Sequence, residues 1–233
     1  MFDVIAFDAD DTLWHTEPLY RDAEQKYLQA LAAVGVTAEQ ALAVLHRVEV
    51  ENLPAFGYGI RGFTLSMIEA AAEASAGRVG AETLAGLVQT GREMTTEAVS
   101  LLDGVEETLR GLAGRNLWVI TKGDVLDQES KIRRSGLAQY FQHAEIVIDK
   151  TPQIYAGLLE KYQLDPQRFL MVGNSLRSDI NPVLSLGAHA VYVPYPLTWA
   201  HESADLPADT TRYYEIANLS QLPGLLEKIE ARA

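Results

Sequence analysis

The stretch FDVIAFDADDTLW, Phe2–Trp14, decides how the rest of the chain is read. Val4–Phe7 is a continuous apolar run of strand length and composition. It ends directly on Asp8, with Asp10, Asp11 and Thr12 behind it. Burying uncompensated carboxylates is costly, so acids at the tip of a buried strand need a cation, hydrogen bonds or a chemical task.

Four more apolar stretches read as strands: Leu117–Ile120, Glu145–Ile148, Phe169–Val172 and Ala190–Val193. Most lack alternation, the pattern of parallel strands covered on both faces. Helical stretches separate the last four. DGVEETLRGLAG (Asp103–Gly114) precedes the second strand, with an acidic start and a closing Gly. DVLDQESKIRRSG follows that strand, TPQIYAGLLEKYQL carries Pro152 in its first turn, and SDINPVLSLG precedes the fifth strand. A last helix is expected over Pro223–Ala231, after a loop-rich stretch from Pro194 to Thr211. The alternation predicts an α/β fold with a doubly wound, mainly parallel Rossmann-like sheet.

Residues 8–116, between the first and second strands, far exceed what a crossover needs. Much of this gap is Ala- and Leu-rich with helical spacing, and we read helices over 18–34, 38–51, 62–76 and 80–97. This predicts a core of residues 1–16 and 98–233 and an inserted helical cap domain of residues 17–97.

The bulk numbers exclude several partners. At 233 residues the chain can bury a sizeable core. Its 48% hydrophobic and 22% charged content is that of a soluble globular protein. The 32 acidic residues against 19 Lys plus Arg give a formal charge of −13, which repels nucleic acids and anionic membranes. The absence of Cys removes thiolate metal sites and thiol nucleophiles. No signal peptide and no apolar run of about 18 residues is seen, so a cytoplasmic enzyme is expected, as a monomer or small homo-oligomer.

In an open α/β sheet, ligands bind beyond the carboxyl ends of the strands. Each predicted strand end delivers polar groups there: Asp8 and Asp10, then TKGD (Thr121–Asp124), then Asp149 and Lys150, then GNSLRSD (Gly173–Asp179). On these residues the chain resembles the haloacid dehalogenase superfamily, in its phosphatase branch with a helical cap after the first strand. DADDT matches the first motif, Asp-x-Asp-x-Thr; Thr121, Lys150 and the GNSLRSD cluster match the other three. The resemblance covers nearly the whole chain. It implies that Asp10 also gives its backbone carbonyl to a metal, and that dehalogenases proper lack this second Asp.

Beside the resemblance stands the chemistry of each side chain. Asp8 is the candidate nucleophile, able to form an aspartyl-phosphate and so split hydrolysis into two easier steps. Asp10 is the candidate acid that protonates the leaving oxygen and then the base that deprotonates water, and close like charges raise the pKa of one such acid. Asp11 reads as a solvated turn residue, and Thr12 as an organiser of the loop. Thr121 and the Lys122–Gly123 turn are candidates for phosphate binding. A lone Lys is usually surface, but Lys150 directly follows an apolar strand and is the candidate counter-charge to the phosphoryl group. Asp8, Asp10, Asn174 and Asp179 are the candidate Mg²⁺ ligands. The family pattern usually has Asp where this chain has Asn174, so weaker metal binding is expected. Asp179 either ligates directly or orients Lys150 and a metal-bound water.

Other features are less specific. FGYGIRGF (Phe56–Phe63) reads as a Gly-rich loop between cap helices, whose Arg61 is a candidate for substrate selection, because such loops reach the substrate in capped relatives. His15, Thr16 and Glu17 lie at the first hinge. TWAHE (198–202) offers His201, but no spacing ties it to the site. The reading is a Mg²⁺-dependent phosphatase of a small phosphorylated metabolite. Its alternatives are a phosphomutase of the same fold and a non-catalytic metal- and phosphate-binding relative. A phosphonate hydrolase is disfavoured because no Lys occurs between Tyr27 and Thr121, a dehalogenase by Asp10, and a phospho-accepting receiver module by the chain's length.

Overall fold

The computed structural model of the chain describes residues 1–197, 199–207 and 209–231. The chain divides into two compact units: one of Met1–Glu17, Val99–Lys122 and Gln128–Ala233, the other of Pro18–Ala98 and Gly123–Asp127. In chain order the elements are β1 (Val4–Phe7), α1 (Glu17–Ala32), α2 (Ala38–Phe56), α3 (Ile60–Ala74), α4 (Ala81–Thr96), α5 (Val105–Gly111), β2 (Leu117–Lys122), α6 (Val125–Arg134), β3 (His143–Val147), α7 (Pro152–Lys161), β4 (Phe169–Gly173), α8 (Asn181–Leu184), β5 (His189–Tyr192), β6 (Tyr213–Glu215) and α9 (Leu222–Glu230).

The first unit is built on a parallel sheet with strand order β3-β2-β1-β4-β5-β6. Side chains alternate along each strand, and the two faces feed two cores. Ile5, Phe7, Val119 and Val172 pack with Val105, Leu109, Leu222 and Leu226 of α5 and α9. Val4, Ala6, Ile120 and Met171 pack on the other face with Tyr155 and Leu159 of α7 and Val183 of α8. Every residue of β1 is therefore buried, as its unbroken apolar run requires. β1 sits where the winding reverses: β2 and β3 lie on one side of it and β4 to β6 on the other. The carboxyl end of such a strand faces the ligand crevice of an open α/β sheet.

The second unit is helical and has its own core. Ala23, Tyr27 and Leu31 of α1 recur every four residues and meet Ala41, Leu45 and Val48 of α2, Phe63 and Met67 of α3, and Leu87 of α4. Thr37 and Gln40 form a reciprocal capping box at the start of α2. Among the described residues, no helix is long and apolar enough to cross a membrane.

Several boundaries differ from the sequence reading. α2 continues to Phe56, with Pro54 in its last turns, and α3 begins at Ile60. The Gly-rich stretch is thus mostly helical, and Arg61 stands in the first turn of α3. β3 starts two residues early and excludes Ile148, which is 80% exposed. As an edge strand, β3 opens on the polar His143, which masked its first two residues. β6 escaped notice because it is only three residues long. The segment before the fifth strand is a π-helical turn, Leu176–Ile180, followed by the short α8, where one longer helix was expected. Such wide turns recur at functional sites.

Gly91 lets α4 approach α3: a Cβ there would lie 2.1 Å from Thr64 Oγ1 and 3.0 Å from Thr64 Cβ. In Gly91→Ala the overpacking cost of about 1–3 kcal/mol is offset in part by the ~1 kcal/mol of helix propensity that Ala gains, so a net destabilisation of up to about 2 kcal/mol is expected. Thermal denaturation checks this, and Thr64→Ala in the same chain should recover part of the loss.

Candidate active site

Asp8 is the first residue beyond β1. Its N–H donates to the Val172 carbonyl at 2.9 Å, so the sheet pairing continues to the nucleophile candidate itself. Its two carboxylate oxygens are held separately. Thr12 Oγ1 donates to Oδ2 at 3.0 Å, and Lys150 Nζ reaches Oδ1 at 2.5 Å. The same ammonium binds Asp179 Oδ1 at 2.6 Å, while the Ser175 N–H donates to Asp179 Oδ2 at 3.0 Å. Lys150 is 3% and Asp179 1% exposed. Burial pulls the Lys150 ammonium down, but Asp179 and Asp8 together hold it well above the usual lysine range. Burial pushes the Asp179 carboxyl up; Lys150 opposes that, and the charge of Asp8 adds to it. Removing Lys150 would leave two buried acids facing each other, a strongly destabilising change.

Asp10 uses its backbone and side chain in different places. Its carboxylate accepts from Trp14 Nε1 at 2.7 Å, Thr16 Oγ1 at 2.8 Å, Gln128 Nε2 at 2.8 Å, and Lys131 Nζ at 2.7 and 2.8 Å. Burial alone would raise its pKa, but the Lys131 charge and these hydrogen bonds outweigh it and hold the carboxyl below the usual range. Like-charge crowding was expected to raise it; the unforeseen cation Lys131 decides the sign. Asp11 is the acid that rises, to about 7, through burial and the charges of Asp10 and Glu17. Asp11 is not a solvated turn residue: its carboxylate accepts the N–H groups of Thr16 and Glu17 at the start of α1.

Asn174, just past β4, completes an oxygen-rich corner. The amide group facing this corner lies 3.3 Å from both the Asp10 carbonyl oxygen and Asp8 Oδ2, and 3.1 Å from Thr12 Oγ1. With NH₂ inward it donates to all three. With its oxygen inward, a carboxylate, a carbonyl and an amide oxygen face each other, an arrangement that a hard cation such as Mg²⁺ satisfies. The donor set therefore fits Mg²⁺. It is a lean set: among the described residues, no three His, Asp or Glu side chains gather into a metal cage. Both oxygens of Asp179 are already engaged by Lys150 and Ser175.

The remaining candidates are placed as follows. Thr121 and Lys122 close β2, with Thr121 buried. Lys122 Nζ donates to Ser178 Oγ at 3.0 Å and pairs with Glu202. Burial would raise the Glu202 carboxyl, but Lys122 and two serine hydroxyls bring it down to about 2. Arg61 belongs to the helical unit, where its guanidinium pairs with Asp124. His15 Nδ1 shares a hydrogen bond of 2.7 Å with the Tyr195 hydroxyl. In the TWAHE stretch the His201 carbonyl accepts from Arg177 at 2.9 Å, and Thr198 lies outside the described residues.

Sequence reasoning missed Trp14, Gln128, Lys131, Ser175, Ser178 and Glu202. Gln128 and Lys131 are one helical turn apart on α6 and both buried, a polar pair on an inward face. Nothing in the local sequence distinguishes that face from a solvated one.

The chain belongs to the haloacid dehalogenase-like hydrolase family, which it matches over residues 2–183. The glyceraldehyde 3-phosphate phosphatase of Pyrococcus furiosus is 28% identical over 240 residues, covering 97% of this chain and 92% of that protein. The phosphatase of the same name from Pyrococcus abyssi is 30% identical over 206 residues, covering 84% of this chain and 82% of that one. Among solved structures, a haloacid dehalogenase-like family hydrolase from Xanthomonas campestris matches with a TM-score of 0.87 at 38% identity, over 99% of this chain and 93% of that one.

Gly173 is the steric condition for the Asp179 contact. A Cβ on it would lie 2.3 Å from Asp179 Cγ and 2.6 Å from Asp179 Cβ. Gly173→Ala should push Asp179 off Lys150 and lower kcat by about 10-fold or more, since small misplacements at a reacting centre are amplified in rate. Steady-state kinetics on protein shown to be folded by circular dichroism checks this.

Proposed function

We propose that this hydrolase is a Mg²⁺-dependent phosphatase of small phosphorylated metabolites, working through an aspartyl-phosphate on Asp8. The observation that carries the reading is the buried Lys150 ammonium between Asp8 and Asp179, at the carboxyl end of the central strand. A phosphoryl group in transfer spreads negative charge over its equatorial oxygens, and fixed cations and donors stabilise that charge.

In the first step a carboxylate oxygen of Asp8 attacks phosphorus, the bond to the leaving oxygen breaks, and that oxygen takes a proton. In the second step water attacks the aspartyl-phosphate, loses its proton to a base, and frees Asp8. Asp10 is the group for both proton transfers. Held by Lys131, it is prepared as the ionised base. Its acid role requires that it give up Lys131 and carry a proton to the leaving oxygen. Thr12 and Lys150 keep Asp8 oriented, Asp179 orients Lys150, and Thr121 and the N–H groups after β2 bind phosphoryl oxygens. Asp8, the Asp10 carbonyl and the Asn174 amide oxygen would hold Mg²⁺, which when bound supplies charge neutralisation for the phosphoryl oxygens. Asn174 brings one negative charge fewer than Asp, so modest Mg²⁺ affinity follows. Arg61 remains a candidate for selecting the leaving group. The two Pyrococcus relatives make glyceraldehyde 3-phosphate the first substrate to test.

Purified protein should release inorganic phosphate from glyceraldehyde 3-phosphate or another small phosphate monoester with Mg²⁺, and lose that activity in EDTA. Asp8→Asn should lower kcat by about 10³-fold or more with an unchanged circular dichroism spectrum. Near-parental turnover in that variant would remove Asp8 as nucleophile. Asn174→Asp should tighten Mg²⁺ binding by roughly 10-fold in calorimetry; unchanged or weaker binding would separate Asn174 from the ion.

A further inference from the structure

We propose that Glu202 is a positioning residue for the phosphoryl site, acting through Lys122 and through the turn that presents Asp179. This rests on the phosphatase reading above.

Glu202 lies far from every motif in sequence, in a short 3₁₀ turn, Ala200–Glu202, beyond β5. Its side chain is 12% exposed, and its carboxylate gathers donors from two other strand ends. Lys122 Nζ comes from the end of β2, beside Thr121. Ser175 Oγ and Ser178 Oγ come from the turn after β4 and donate at 2.5 and 2.6 Å. The surrounding segment is fastened to the same turn: Arg177 donates to the His201 carbonyl at 2.9 Å, and Asn181 Nδ2 to the Asp205 carbonyl at 2.8 Å.

The two serines are not incidental anchors. The Ser175 N–H binds Asp179 Oδ2, its carbonyl accepts the Asp179 N–H at 2.9 Å, and its hydroxyl accepts the Ser178 N–H at 3.0 Å. Ser178 directly precedes Asp179. A continuous path therefore runs from Glu202 through Ser175 and Ser178 to Asp179, then to Lys150 and Asp8. On its other side, Glu202 neutralises Lys122 and fixes the residue next to Thr121. One carboxylate braces the strand tips on both sides of β1. Without it, two hydroxyls lose their acceptor and a poorly exposed ammonium loses its counter-charge, so both tips relax. The loss falls on the alignment of Asp8, Lys150 and Asp179 in the transition state, and therefore on kcat more than on KM.

The test uses p-nitrophenyl phosphate with saturating Mg²⁺ and compares wild type, Glu202→Gln, Glu202→Asp and Glu230→Gln. Glu230 forms an ion pair with Arg115 at 2.7 Å, at the amino end of β2, and serves as the control for loss of an ion pair outside the site. Glu202→Gln keeps the shape and an acceptor for the serines but drops the charge. It should lower kcat by about 10- to 100-fold while KM stays within about threefold. Glu202→Asp should recover part of kcat, and Glu230→Gln should change melting temperature without changing kcat. Kinetics of Glu202→Gln and Glu202→Asp within about threefold of wild type would overturn the proposal, as would an equal kcat loss in Glu230→Gln. Should the glutamine variant fail to fold, the aspartate variant decides alone. Absence of wild-type turnover on p-nitrophenyl phosphate and on glyceraldehyde 3-phosphate alike would remove the phosphatase reading and this one with it, whereas wild-type turnover matched by Glu202→Gln removes only this one.

Discussion

The site depends on one buried ammonium. Lys150 sits between Asp8 and Asp179, which come from two different strand ends, and without it two buried carboxyl groups would face each other with no cation between them. The arrangement stabilises the ground state of the free site and prepares it for an anion. In the proposed reaction, a phosphoryl group brought to Asp8 would meet a cation already desolvated and fixed, with little reorganisation left for the moment of reaction. The steric allowance at Gly173 and the backbone hydrogen bonds of Ser175 bring Asp179 to that cation.

Asp10 shows how one residue can serve two environments. Its carbonyl turns toward Asp8 and Asn174, while its carboxylate turns toward Trp14, Thr16, Gln128 and Lys131. Asp8 and Asp10, two of the three acids of the DADDT motif, therefore face different surroundings although only one residue lies between them. Asp8 pairs with Lys150 and Asp10 with Lys131, two cations from different parts of the chain, while the charge of Asp10 still acts on Asp11.

What was legible in the sequence follows from what is local. An apolar run that stops on an acid announces a buried strand, which is why Val4–Phe7 was legible, while Asp8, Lys150 and Asp179 were singled out by their places beyond strand ends together with the family resemblance. Arg61 was legible as a cation but not as a helical one, because the glycines around it read as loop while Gly62 is in fact buried within α3. Lys131 and Glu202 were not legible. A lysine on a polar helix and a glutamate in a Pro-rich loop look solvated, and only tertiary packing turns them inward. β6 was missed for a related reason: a three-residue strand has no periodicity, and its identity lies in the pairing of Tyr213 with Ala190.

The burial of β1 on both faces also limits how this protein can vary. Ile5 and Phe7 belong to one core and Val4 and Ala6 to the other, so gaining or losing a single residue in the strand would swap the two sets. It would also rotate Asp8 away from Lys150 by half a pleat. Side-chain volume in this segment can drift over time, but its number of residues cannot.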